Sequence, residues 1–552
     1  MEEKRIRLLD IQFARFLARR SALSDKEKEQ FHDIVCRLSM GLGAGDSCLP
    51  LTEQEEVLVE RSGLSGLNDH PLCVVNDCLY LQRYFEHEKR LAEKIRSFAA
   101  FPAKLDGDET LLDLLFGRKN TDETDWQRFA ASQALEQSFL IISGGPGTGK
   151  TTTVVKILAL LQSVAGNGLR IALAAPTGKA AMRLQESIGT SVHSLPLDES
   201  ILKSIPLQAS TLHRLLGVKR HSPFFHHNGD NPLSYDVVVV DEASMVDLAL
   251  MNKLVDALHP GTRLILLGDK NQLASVESGT VLADLISAMP ENTVELQRSY
   301  RFDRGIQRFA EAINGGNSLP AWNLLVRDDP QNISLLEEDA AEYGGRMYCS
   351  YMSAVRQAET LDDYKSLFLS LQSFKILCAL RHGPAGVSGI NERVEHYLTT
   401  QGYDCFSTAW YGGRPVMITR NDYGLDLYNG DMGICLPDPE NHEIMKVWFE
   451  RSDGSLQGLL PGRISSCQTV YALTIHKSQG TEIGEVLVVL PAKDSELLTR
   501  ELLYTAITRA RQSVKIKSSR SVFDRTVNEK IKRHSGLAVR LSGREVSARN
   551  VA

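Results

Sequence analysis

The sequence predicts an α/β protein built on two parallel sheets. Short, bounded aliphatic runs are the first reason: Phe139-Leu140-Ile141-Ile142, Ile171-Ala172-Leu173-Ala174, Val237-Val238-Val239-Val240 and Leu264-Ile265-Leu266-Leu267. Strands covered by helices on both faces read as continuous apolar runs, not alternating ones. Helical patterns between the runs are the second reason, because they complete βαβ units. A second series starts near residue 370, with Ile376-Leu377-Cys378-Ala379-Leu380 and later Val486-Leu487-Val488-Val489-Leu490, so a second sheet is expected.

Residues 1 to about 105 differ and are expected to form a helical module of their own. Ser24-Asp25-Lys26-Glu27 reads as a capping box. Behind it Phe31, Ile34, Val35 and Leu38 recur on one helical face, and Gly41 is placed to end the helix. Val74 to Leu81 reads as a tight hairpin, followed by a charged helix through about Arg96. The module carries no chemistry of its own, so docking or scaffolding is its expected task.

Composition narrows the function classes. The chain has 552 residues, enough for several cores. Hydrophobic residues are 43% and charged residues 24%, the balance of a soluble globular protein. No run is long and apolar enough to span a bilayer, and MEEKRIRLLD is not a secretory signal, so a cytoplasmic location is expected. Nine cysteines without a C-x-x-C pair fit reduced thiols. A net charge of −7 argues against coating DNA by bulk charge, but not against holding it in one local channel. From Arg509 onward twelve Lys or Arg face three acids, which reads as a solvated basic tail or a contact for nucleic acid.

The chemistry begins at Gly144-Gly145-Pro146-Gly147-Thr148-Gly149-Lys150-Thr151, followed by Thr152. This fits G-x-x-x-x-G-K-[ST] after a strand and before a helix. Glycines let the backbone turn its N–H groups toward phosphate oxygens, and the following helix presents its positive end. Lys150 can reach the β- and γ-phosphates of ATP, and the Thr151 hydroxyl can ligate Mg²⁺. The valine run leads into Asp241-Glu242. Asp241 suits the magnesium shell, and Glu242 the attacking water. Charge on the γ-phosphate in the transition state also calls for fixed cations. Arg301 and Arg509 are candidates, although spacing alone does not single them out.

From about residue 126 to 514 the motifs, in order, resemble those of superfamily 1 helicases. Gln127 stands where that family has its adenine-reading glutamine, with Gln133 as a rival. Ala175 to Ala181 and Thr211 to Gly217 look like its first DNA-strand motifs, Asp241 to Ser244 like its magnesium motif, and Leu267 to Leu273 like the motif whose glutamine, here Gln272, senses the γ-phosphate. Tyr471 to Glu482 and Tyr504 to Arg511 resemble the motifs of the second motor domain. Leu380-Arg381-His382-Gly383-Pro384-Ala385-Gly386-Val387-Ser388-Gly389-Ile390-Asn391 and Tyr428 to Gly433 narrow the likeness to the RecD branch. The stretch between Phe302 and Ile376 matches more loosely.

The resemblance implies two RecA-like motor domains, about 106–310 and 311–552, with a small SH3-like β insertion at about 400–468. It implies ATP and Mg²⁺ as cofactors, with Arg301 and Arg509 reaching the phosphates and Glu482 the ribose. Thr177, Lys179, Thr211, His213, Thr474, His476 and Lys477 lie in motifs that face DNA in relatives. Hydroxyls and cations there suit phosphate oxygens, which carry no base information. The implied activity is 5′→3′ movement on single-stranded or tailed double-stranded DNA, in assembly with RecB-like and RecC-like subunits. The N-terminal module would then dock on the RecC-like partner. Phe224 to Asp230, within about 218–234, reads as an ordinary surface loop or as a hairpin with Asn-Gly at its tip, and the resemblance implies a duplex-parting pin at that place. The competing expectations are a free-standing helicase of the same superfamily, or a DNA-binding subunit with a regulatory ATP site. A nuclease is disfavoured because no defensible metal-binding acidic cluster is visible.

Overall fold

The computed structural model describes residues 6–101, 105, 107, 109–117, 124–219, 222–275, 277–297, 304–327, 332–422, 424–451, 454–493 and 495–543. The chain divides into two compact units. One holds Glu2–Lys270, Ala274–Arg298 and the segment from Lys532 onward. The other holds Asn271–Leu273 and Ser299–Ile531. Among the described residues no helix is long and apolar enough to cross a membrane.

The first unit opens with helices Leu8–Arg20, Asp25–Ala44, Glu53–Arg61 and Gln82–Ala100. Strands β1 (Leu49–Pro50), β2 (Leu72–Val75) and β3 (Cys78–Leu81) form a small antiparallel sheet in the order β1-β3-β2. The Glu27 carboxylate accepts from Ser24 N at 3.0 Å and Ser24 Oγ at 2.6 Å, closing the capping box. Gly41 does not end this helix. The helix continues to Ala44, and Gly45, at φ 101°, takes the left-handed cap. Burial of Phe31, Ile34, Val35 and Leu38 on its inner face outweighs the cost of about 1 kcal/mol for an interior glycine. The β2–β3 hairpin turns at Asn76 and Asp77, both left-handed (φ 57° and 56°) as a type I′ turn requires.

Six parallel strands follow: β4 (Phe139–Gly144), β5 (Ile171–Ala175), β6 (Ala209–Thr211), β7 (Val237–Val240), β8 (Arg263–Gly268) and β9 (Thr293–Leu296). Their order is β6-β5-β7-β8-β4-β9. Alternate residues feed two cores. Ile141, Val238, Val240 and Leu266 enter one, and Ile142, Val237, Val239 and Leu267 the other. All four valines of β7 are fully buried, worth about 1.5–3 kcal/mol each. This makes β7 a rigid stem for what stands at its end. The C-terminal helix Leu537–Leu541 joins the first of these cores beside Leu91, Ile95 and Leu285.

In the second unit the strands are β10 (Ile333–Leu335), β11 (Phe374–Cys378), β12 (Pro415–Ile418), β13 (Met432–Asp438), β14 (Asn441–Glu450), β15 (Leu456–Leu459), β16 (Cys467–Thr469), β17 (Ala472–Thr474), β18 (Ile483–Val489) and β19 (Ala510–Lys517). A parallel sheet runs β10-β19-β18-β11-β17, and an antiparallel one runs β15-β14-β13-β12-β16. The antiparallel sheet is therefore inserted between β11 and β17. Asn429-Gly430 does not join two strands directly. Gly430, at φ 99°, donates from its N–H to Ile418 O and closes the longer loop between β12 and β13.

Candidate active site

The phosphate loop leaves the end of β4 and enters helix Lys150–Val164. Gly147 and Gly149 sit at φ 78° and 82°, where a side chain is strained. A Cβ on Gly144 would lie 2.7 Å from Thr148 Oγ1. The Lys150 ammonium donates to Gly144 O at 2.6 Å and Gly145 O at 3.1 Å. Burial lowers its pKa, opposed by the nearby carboxylates Asp269, Glu242 and Asp241. Gln127 lies against this loop, its Nε2 donating to Thr148 O at 3.3 Å. Gln133 instead accepts from Gln137 at 2.5 Å. Of the two glutamines, Gln127 is therefore the one on the loop.

Asp241 stands directly after β7, and its Oδ1 accepts from Glu242 N at 2.8 Å. Burial first, and then the Glu242 carboxylate, push its carboxyl up to about 6. Glu242 is left-handed at φ 51°, an uncommon conformation for a residue with a Cβ. Strain of about 1–3 kcal/mol of this kind is held where the surroundings over-determine it. Two buried hydroxyls, Ser143 Oγ at the end of β4 and Ser244 Oγ just past Glu242, have no partner among the described residues. Two adjacent carboxylates and a threonine hydroxyl are the hard oxygen ligands a magnesium ion takes, and the glycine-loop N–H groups, the Lys150 ammonium and orphaned hydroxyls are the donors a polyphosphate takes. The residues present fit both.

Segment Asn271–Leu273 packs with the second unit. Gln272, 6% exposed, accepts at Oε1 from Arg509 Nη2 at 2.7 Å. Arg509 is 2% exposed and also donates from Nε to Thr505 O at 3.2 Å. Leu273 N donates to Thr505 Oγ1 at 2.9 Å, and Gln479 Nε2 to Leu273 O at 3.0 Å. Glu482 lies 3.4 Å from Arg511 Nε. Arg301 lies outside the described residues.

The threonines of the motifs expected to face DNA share one geometry. Thr177 Oγ1 accepts from Ala180 N at 3.3 Å, Thr211 Oγ1 from Arg214 N at 3.2 Å and Thr474 Oγ1 from Lys477 N at 3.4 Å. Each caps a helical turn just beyond the C-terminal end of a parallel strand: Thr177 after β5, Thr211 closing β6 and Thr474 closing β17. A hydroxyl that accepts from the backbone keeps its own proton to donate. His213 packs edge-on to Phe225, ring centroids 5.7 Å apart, and Lys179 and His476 are partly buried beside their capping threonines. Burial, and then the Arg381 cation, lower the pKa of Lys477. In the expected pin, Phe224 is 69% exposed, but Gly229 N donates to Asp256 Oδ2 at 3.2 Å. The tip is thus tied down to helix Leu248–Asp256.

Three family models match the chain: the RecBCD enzyme subunit RecD N-terminal domain over residues 2–99, an AAA domain over 127–278 and a UvrD-like helicase C-terminal domain over 469–516. The RecBCD enzyme subunit RecD of Mycolicibacterium smegmatis is 40% identical over 89% of this chain and 88% of its own length. The chain belongs to the RecD family of superfamily 1 DNA helicases. The Haemophilus influenzae RecD subunit is 33% identical over 85% of this chain and 80% of that one. The ATP-dependent RecD2 DNA helicase of Deinococcus radiodurans is 32% identical over 90% of this chain and 66% of that one. A Pif1 helicase from Candida albicans aligns with 77% of this chain and all of its own at 19% identity and TM-score 0.39, too loose a likeness to add to the assignment.

Two charged groups of this RecD-family site were not singled out from sequence. Asp269, 2% exposed at the end of β8, acts on Lys150. Its signal was its place inside the Leu267 to Leu273 motif. Arg183 exerts its charge on both Lys150 and Asp241. It stands four residues after Lys179 on helix Gly178–Val192, and that i, i+4 spacing was the available clue.

Proposed function

We propose that this chain is an ATP-driven motor that moves 5′→3′ along single-stranded DNA as the RecD-type subunit of a RecBCD-type complex in double-strand break repair and recombination. The carrying observation is the convergence of Lys150, Asp241, Glu242 and Asp269 around one glycine loop. Lys150 would leave its carbonyl partners for the β- and γ-phosphates. Thr151 and Asp241 would hold magnesium, which supplies charge neutralisation to the polyphosphate. Glu242 would orient the attacking water and take its proton. Arg509 would stabilise charge on the γ-phosphate, with Arg301 as the second cation.

Movement needs DNA contacts that depend on nucleotide state. Gln272 and Arg509 are already hydrogen-bonded to one another. A change at the γ-phosphate sensed by either is felt by the other. Helix-capping threonines at three strand ends, with Lys179, His213, His476 and Lys477, would grip phosphate oxygens without reading bases. RecB-like and RecC-like subunits are the proposed partners, supported by the match of the N-terminal 2–99 to the RecD N-terminal domain.

Strand displacement on 5′-tailed and 3′-tailed duplexes, with and without such partners, tests the reading. Unwinding from 5′ tails is the expected result, and unwinding only from 3′ tails would overturn the polarity. Lys150→Gln is expected to abolish ATP hydrolysis while keeping the melting temperature. ATPase surviving in that variant would contradict the site.

A further inference from the structure

The stretch Leu380 to Asn391 is prominent in the sequence, and the functional reading leaves it without a task. Asn391 is 7% exposed on helix Val387–Thr400. Its Nδ2 donates to Thr469 O at 2.9 Å and Ala472 O at 3.3 Å, and its Oδ1 accepts from Ala472 N at 2.8 Å. Lys375 Nζ, 3% exposed on β11, donates to Val470 O at 3.1 Å. Tyr348 Oη, on helix Ala340–Gln357, donates to Tyr471 O at 2.7 Å. Four successive carbonyls, Thr469 to Ala472, are therefore each held by a buried side chain. The Lys375 ammonium also lies over the Tyr348 ring, 5.8 Å from its centroid.

The clamped residues join two working parts. They begin at the last residue of β16, which closes the antiparallel insertion, and end at the first residue of β17, which leads into Thr474, His476 and Lys477. β17 has only three residues and stands at the edge of its sheet, paired with β11 alone. Ladder hydrogen bonds contribute about 1 kcal/mol each, so three residues of pairing hold a loaded loop weakly. Burying an amide and an ammonium costs free energy unless they are satisfied. Here both spend donors on main-chain atoms of this one segment, an expense that plain apolar packing would not require.

We propose that Asn391, Lys375 and Tyr348 are positioning residues that set the height and register of the 474–477 loop against DNA. The proposal rests on the reading of that loop as a DNA contact. The clamp grips main chain, so it fixes the loop without occupying the side chains that meet phosphate. It also joins the insertion rigidly to that loop, so that a load on either is carried by the other.

The test uses the full chain and measures melting temperature, ATP hydrolysis without DNA, and the concentration of an oligothymidylate that half-saturates stimulated hydrolysis. Lys375→Met and Asn391→Ala remove donors, and Tyr348→Phe is a milder variant that keeps the ring. Lys477→Ala is the reference for the loop itself. The expected result is a rise of about tenfold in half-saturating DNA for Lys375→Met and Asn391→Ala. A smaller rise is expected for Tyr348→Phe, with DNA-independent hydrolysis within about twofold of the parent. If Lys477→Ala weakens DNA binding while folded clamp variants bind as the parent does, the clamp proposal is wrong and the loop reading stands. If Lys477→Ala changes nothing, the loop reading fails and the clamp proposal falls with it. Should the two stronger variants only lower the melting temperature and the active fraction, Tyr348→Phe decides, and an unshifted half-saturation point makes the clamp merely structural.

Discussion

Glu242 concentrates the cost of this site in one residue. Its left-handed backbone at φ 51° aims the carboxylate from the end of β7, a conformation glycine would adopt freely. Glu242→Gln is expected to slow hydrolysis about 10²–10⁴-fold while nucleotide binding persists, read by single-turnover kinetics beside a fluorescent-nucleotide titration. Glu242→Gly should be equally inactive yet more stable by about 1 kcal/mol, and so melt at a higher temperature, because strain is released. A melting point below the parent's would show that the strain argument is wrong. Asp284 provides a second residue-scale test. Burial raises its carboxyl to about 6 from an ordinary 3.8, opposed by the neighbouring Ser535 and Thr280 hydroxyls, of which Thr280 donates to Oδ1 at 3.2 Å, and aided by the Glu88 charge. A raised folded pKa favours the fold while the group is protonated. That contribution is complete below about pH 4 and is lost as pH rises through about 6. Asp284→Asn should therefore stabilise the chain by at most about 3 kcal/mol at pH 8 and by little at pH 4, measured as melting temperature across that range.

At the scale of elements, one device recurs: a parallel strand ends, a threonine caps the next turn, and cations follow. If Thr177 and Thr211 both cap and donate, Thr→Ser should be nearly silent. Thr→Val should cost about 1 kcal/mol of stability and weaken DNA binding by a few-fold, with a shallower salt dependence. Binding that follows stability alone would assign these threonines to the fold only. The device also explains what could be read from the sequence. Aliphatic runs announce buried parallel strands, and β7 begins and ends where its valines do, because nothing but burial decides it. The run Ile376 to Leu380 was misplaced by two residues, since β11 starts at Phe374 and includes Lys375, a charged residue that a hydrophobic pattern skips. Gly41 was misread as a helix end for a related reason. Local signals name a residue able to stop a helix, but the buried face decides whether it does. The phosphate loop was legible because its chemistry is local. Asp269 carried only its place in a motif and Arg183 only its spacing from Lys179, and their partners, like those of Asn391 and Lys375, come together only through tertiary structure.

For the molecule as a whole, the C-terminal segment is the least expected part. A basic tail invites a solvent-exposed reading, but from Lys532 the chain leaves the second unit and becomes part of the first. Glu88, 0% exposed on helix Gln82–Ala100, accepts from Ser47 Oγ at 2.6 Å, Gly536 N at 3.1 Å, Ser535 Oγ at 3.2 Å and Arg540 Nε at 3.3 Å. Ser47 N donates in turn to His534 O at 2.8 Å. A buried carboxylate with its cation removed is an uncompensated charge, and breaking such a pair from one side costs about 3–5 kcal/mol. Arg540→Ala, or a stop after Ile531, should therefore destabilise the first unit. The second unit, which contributes the preceding helix Arg520–Asn528, should be spared. Hydrogen exchange separates the two: protection should fall in helices Gln82–Ala100 and Val281–Ala288 and hold in β18 and β19. Adding Glu88→Gln to Arg540→Ala should recover part of the loss, since the orphaned charge goes with it. If the double variant is no more stable than Arg540→Ala, the pair is not what binds the tail, and apolar packing of Leu537 and Leu541 must carry it instead.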